Sequence, residues 1–190
     1  MDPLSGVFAA FGLSASAGLN AYIPLLILSL VARFTNLITL TEPWDALSSW
    51  WVIGVLIVLT VIEFFTDKIP AVNHINDVIQ TFIRPTAGAI AFAASAKIVN
   101  DVHPALAIVA GLLVAGTVHA AKSAAVRPAV TATTGGVGNI PVSIAEDIVA
   151  TVVSILAIVI PVLILMIMIV VTAYIIWSIW RRVNLESGSS

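Results

Sequence analysis

Long apolar intervals separated by short polar clusters organise this chain. No Asp, Glu, Lys, Arg or His occurs from residue 3 to residue 32, nor from 148 to 180. A bilayer core of about 30 Å is crossed by about 20 helical residues, so each interval exceeds one straight span. In the first, Gly12, Ser14, Ser16, Gly18, Asn20 and Pro24 predict a half-helix to about Leu13, a break, and a longer helix through Ala32. The second predicts one long helix, kinked or tilted at Pro161 and anchored by Trp180, Arg181 and Arg182.

Residues 46–62 predict a further helix continuing through Glu63. Two shorter apolar stretches, 85–96 and 104–118, carry small residues at every fourth position: Ala87, Ala91 and Ser95 on one, Ala107, Gly111 and Ala115 on the other. That spacing lets backbones approach closely and predicts a tight hairpin turning at 100–104. Residues 68–84 and 122–147 are more polar. Within them, the apolar spacing of 73–83 predicts an interfacial or re-entrant amphipathic helix. Residues 131–138 (TATTGGVG) predict a flexible break before a last helix opened by Asn139 and Pro141. Gly18-Leu19-Asn20 and Gly138-Asn139 open similar helix starts, which raises an internal, inverted repeat of broken helices.

Composition narrows the class. The chain has 190 residues, 60% of them hydrophobic and 9% charged, with net charge −2 and no Cys; mean hydropathy is +1.12. A soluble domain carries about 25% charged residues, so these few cannot cover one. Disorder, nucleic-acid binding and a disulfide scaffold are excluded by the same figures. The expectation is an all-α polytopic membrane protein with about five hydrophobic helices and broken or re-entrant segments, forming a single transmembrane domain over residues 1–182. Residues 183–190 read as a tail left by recombinant expression. Met1-Asp2-Pro3 lacks the basic start of a cleaved signal. Counting Arg33, Lys97, Arg181 and Arg182 as cytoplasmic places the N-terminus outside and the C-terminus inside.

Ionisable residues gather in two clusters: Glu63, Asp67, Lys68, His74, Asp77 and Arg84, then His119, Lys122, Arg127, Glu146 and Asp147. Such groups near hydrocarbon face cavities or pair with one another. Arg84-Pro85 and Arg127-Pro128 each set Pro where a helix can begin, which puts an arginine at a helix N-terminus suited to phosphate or carboxylate. Arg84, Arg127, Lys68, Lys122, Asn20 and Asn139 are therefore the candidate substrate-binding residues. Glu63, Asp67, Asp77, His74, His119, Glu146 and Asp147 are the candidate proton-coupling or gating residues. Structural pairs such as Glu63–Lys68 or Asp77–Arg84 are the alternative. No compact metal motif, nucleophile elbow or phosphate-binding glycine loop occurs, so no cofactor, metal or enzymatic activity is expected.

The segments GLSASAGLNAYIPLLILSL (12–30), EFFTDKIPAVNHINDVIQTFIRPTAGA (63–89) and VSIAEDIVA (142–150) resemble the integral-membrane family catalogued as domain of unknown function 4126. The resemblance implies a protein of the bacterial inner membrane, and the family pattern favours a basic residue where this chain has Asn20. The broken helices with buried Arg and acidic residues are also similar, by architectural analogy, to the DedA/VTT lipid-transport proteins. Together these readings lead to the expectation of a small transporter or flippase-like protein, acting as a homodimer among membrane lipids. It would move an anionic solute or lipid headgroup, with proton coupling. The alternatives are a cation or divalent-metal channel or transporter, and a non-transporting scaffold.

Overall fold

The computed structural model describes residues 3–68, 70–96 and 102–187, with the side chains of 3–4, 70–75, 77, 162–165, 168, 178–179 and 182–187 outside the description. All the regular structure there is helical: α1 (Pro3–Leu19), α2 (Tyr22–Phe34), α3 (Trp50–Thr66), α4 (Pro70–Ala96), α5 (Pro104–Ala121), α6 (Arg127–Thr134), α7 (Asn139–Val159) and α8 (Pro161–Ser187). A 3-10 turn, Trp44–Ser48, precedes α3, and a π turn, Lys122–Val126, joins α5 to α6. Among the described residues, Pro104–Thr134 and Asn139–Val159 are long and apolar enough to cross a membrane.

Small residues set the packing. Ala87, Ala91, Ser95, Ala107, Gly111 and Ala115 are all buried where α4, α5 and α1 meet, as their spacing predicts. A Cβ on Gly111 would fall 2.5 Å from the Gly88 carbonyl oxygen and 2.6 Å from Ala89 Cα. Only glycine permits that approach of α5 to α4. Ser14 Oγ donates to the Gly111 carbonyl at 2.9 Å, so α1 lies in the groove they form. Phe11 packs edge-on against Phe92, which runs α1 antiparallel to α4. Of the turn expected at 100–104, residues 100 and 101 lie outside the described residues, as does Lys97; its second half caps α5, with His103 Nδ1 accepting from Ala105 N at 3.2 Å.

Several expected boundaries move. α1 continues past Leu13 to Leu19 and the break lies at Asn20–Ala21. Ser14 and Ser16 do not interrupt the helix because their hydroxyls find partners on neighbouring helices: Gly111 for Ser14, and the Ala150 carbonyl and Ser154 Oγ, each at 2.7 Å, for Ser16. Trp44, beyond the end of α2, packs in the same cluster as Ala10 and Phe92, so α2 turns back alongside α1. The two helices form a hairpin with its tip inside the protein. Residues 73–83 do not make a separate helix. They are part of α4, which runs on through Pro85 because its second half is clamped between α1 and α5. The apolar run after Ile148 is two helices rather than one. α7 ends at Val159, Ile160 leaves helical geometry (φ −137°, ψ 65°), and Pro161 starts α8. The break expected at 131–138 is confined to 135–138: α6 runs on through Thr134, and the chain turns at Gly135 (φ 64°) and Gly136 (φ 92°), a backbone that glycine adopts without a Cβ penalty.

Polarity is distributed inside out. Trp51, Phe82, Leu113 and Val170 are exposed, whereas Glu63, Asp67, Arg84, Lys122, Arg127 and Asp147 are buried. Charged residues are rarely buried in soluble proteins unless paired, which directs attention to what these six touch.

Candidate functional site

The site grows from the tip of the α1–α2 hairpin. α1 ends with free carbonyls and partial negative charge, while α2 begins with free N–H groups and partial positive charge. Each end meets a side chain of opposite sign. Lys122 Nζ donates to the Leu19 carbonyl at 3.0 Å. The Glu63 carboxylate accepts from Ala21 N at 3.2 and 3.3 Å. Asn20 completes the cap: its Oδ1 accepts from Tyr22 N at 3.1 Å and Ile23 N at 3.0 Å. Its Nδ2 donates to Asp147 Oδ1 at 2.9 Å.

Around this tip the two charged clusters of the sequence become one network. Arg84 Nη2 donates to Glu63 Oε1 at 3.1 Å and to Asp67 Oδ2 at 3.2 Å, with the Arg84 side chain wholly buried. Arg127 Nη2 lies 3.6 Å and Lys122 Nζ 3.9 Å from the same Asp67 oxygen. Glu146 Oε2 accepts from Lys122 at 2.7 Å and from Arg127 at 3.1 Å. Lys68 Nζ reaches Asp147 Oδ2 at 2.9 Å and lies over the Phe64 ring. Asn76 Nδ2 donates to Asp67 Oδ1. Four carboxylates thus face four cations.

His119 joins the network as a neutral ring. Arg84 Nη1 sits 3.3 Å from His119 Nδ1, and a guanidinium only donates, so Nδ1 accepts. That leaves the proton on Nε2, which lies 3.1 Å from Thr81 Oγ1.

The structure brings together Asn20, Glu63, Asp67, Lys68, Arg84, His119, Lys122, Arg127, Glu146 and Asp147. Asn139 stands apart, donating to Thr131 Oγ1 at 2.8 Å across the glycine turn. The His74 and Asp77 side chains lie outside the described residues. The expected pairing of Glu63 with Lys68 is not observed. The helix start expected at Arg127-Pro128 is, as α6, with Pro128 in its first turn, but neither arginine stands at a free helix N-terminus. Arg84 is in the interior of α4. Arg127 follows the π turn, and its N–H donates to the Lys122 carbonyl, so the helical path continues from α5 into α6. The extra residue of a π turn absorbs the missing N–H and the ring of Pro128. The helix N-terminus that does hold an anion is that of α2, and the anion is Glu63.

Sequence reasoning overlooks Gln80, which is buried beside this network. Its place four residues before Arg84, on the same helix face, is the signal that could find it.

The family described as Domain of unknown function (DUF4126) matches residues 7–181. The chain belongs to this family. The match takes in α2 to α7 whole and so includes every residue of the network in this DUF4126 chain. No curated protein and no solved structure matches it.

Proposed function

We propose that this DUF4126 protein is a polytopic membrane transporter that moves an anionic solute or phospholipid headgroup through the charge network. Its apolar outer surface and charged interior, with two helices of spanning length, support the membrane setting. A broken-helix hairpin whose ends meet ionisable groups is the kind of device secondary transporters place near the bilayer midplane.

The observation that carries the reading is the convergence on Asp67 Oδ2 of three cations from three segments: Arg84 at 3.2 Å, Arg127 at 3.6 Å and Lys122 at 3.9 Å. A phosphate or carboxylate oxygen in that place would be held by the same donors, which suit it geometrically. Asp67 keeps the cradle neutral between substrates. An anion that displaces the Asp67 carboxylate from these cations exchanges one negative charge for another among the same donors.

The cation-transport reading is weaker, because Glu63, Asp67, Glu146 and Asp147 each already face a Lys or Arg within 3.2 Å. The test is reconstitution into liposomes, with two cargoes: inorganic phosphate efflux, and dithionite access to a fluorescent phosphatidylglycerol beside a fluorescent phosphatidylcholine. Movement of phosphate or of phosphatidylglycerol by the wild type, lost in Lys122→Gln/Arg127→Gln, supports the proposal and names the cargo. If neither moves, or phosphatidylcholine moves equally, the reading falls.

A further inference from the structure

We infer that a cleft between α2, α3 and α4 receives the head of an amphiphile that carries a hydrogen-bond donor, a hydroxyl or an ammonium. The inference rests on the membrane setting proposed above and not on the anion cradle.

The cleft has a volume of about 280 Å³ and is lined in part by Tyr22, Ile62, Glu63, Asn76, Ile79 and Gln80. One water takes up about 30 Å³ of liquid, so the space suits a small organic group better than a single ion. Its polar wall offers acceptors. Gln80 is 2% exposed, yet its Oε1 has no hydrogen-bond partner, and an amide carbonyl oxygen can only accept. A buried acceptor left unmade is costly, so the position calls for a donor from a molecule in the cleft. Glu63 Oε2 accepts from Ala21 N at 3.2 Å and keeps a further lone pair. Asn76 gives one of its two amide N–H groups to Asp67.

The other walls are apolar, and Ile62 (51% exposed) and Ile79 (50% exposed) stand on the outer face of the bundle. A ligand head at Gln80 and Glu63 therefore leaves its tail passing between these isoleucines toward the apolar surroundings. A carboxylate head brings only acceptors and would leave the oxygens of Gln80 and Glu63 without a donor from the ligand. Alcohols and amines fit the wall; fatty acids do not.

The test uses the full chain in phosphatidylcholine nanodiscs and a dodecanol bearing a photoreactive diazirine, with labelled peptides mapped by mass spectrometry. Labelling is expected on α3 and α4 around Ile62 and Ile79. Unlabelled dodecanol or dodecylamine should compete about tenfold better than laurate or dodecane. Gln80→Leu should reduce the labelling about tenfold. Should that variant fail to fold, the order of competitors on the wild type decides by itself. Equal competition by laurate and dodecane, or unchanged labelling in folded Gln80→Leu, overturns the inference. Donor-selective labelling without anion movement in liposomes would sink the transport reading and leave the cleft standing. Anion movement without such labelling would do the reverse.

Discussion

Glu63 Oε1 and Arg84 Nη2 meet at 3.1 Å with neither side chain exposed, and the same carboxylate caps the backbone N–H of Ala21 at the start of α2. One carboxylate thereby fixes α3, α4 and the hairpin tip relative to one another. Removing Glu63 leaves Arg84 with the Asp67 carboxylate alone and the network with one surplus buried cation; breaking a buried pair costs about 3–5 kcal/mol.

Glu63→Gln is therefore expected to lose stability of that order in detergent unfolding experiments. The double variant Glu63→Gln/Arg84→Gln should be less destabilised than the sum of the two single changes, because no unpaired charge is left at that position. Additive losses would show that the two side chains do not act as a pair.

Asn20 performs two tasks at the tip, capping α2 and donating to Asp147. Asn20→Ala should cost about 1–2 kcal/mol, in the range of a lost N-cap. Asn20→Asp keeps the cap but sets a fifth carboxylate against Asp147, so it should also destabilise. Adding Asp147→Asn should relieve that second effect in the same unfolding measurement and leave Asn20→Ala unaided.

The α4–α5 seam gives a contrast between two glycines. Gly111→Ala must push α5 off the Gly88 carbonyl and the α4 backbone, which should cost at least about 1–3 kcal/mol as overpacking does. A Cβ at Gly54 meets nothing within 4 Å. Gly54→Ala should be neutral, or stabilise by about 0.4–1 kcal/mol through the unfolded chain. Comparison of thermal unfolding midpoints checks both.

Local patterns were the legible part of this chain. The small-residue stripes at 87/91/95 and 107/111/115 act through helical spacing alone, so their packing could be read directly. Ser14 and Ser16 look like helix breakers in sequence because nothing there reveals the carbonyls of Gly111 and Ala150 to which they donate. The two charged clusters are plain in sequence, but their partners are not. Lys68 is five residues from Glu63 and yet reaches Asp147, while Arg84 takes Glu63 and Asp67. Both Arg-Pro pairs resemble helix starts. At Arg127 a π turn, invisible to pattern, carries the helix through the proline. At Arg84 the clamp of neighbouring helices does so.

The central claim is that Asp67 occupies the place of an anion among Arg84, Lys122 and Arg127. Native mass spectrometry of protein released from mild detergent tests it, on wild type, Asp67→Asn and Asp67→Asn/Arg127→Gln. Asp67→Asn removes the resident carboxylate and leaves the cradle with surplus positive charge, so it should retain more phosphate or anionic phospholipid than the wild type. The added Arg127→Gln should remove that gain. Equal adducts in all three proteins, or none in Asp67→Asn, would contradict the account and reduce the network to structural ion pairs.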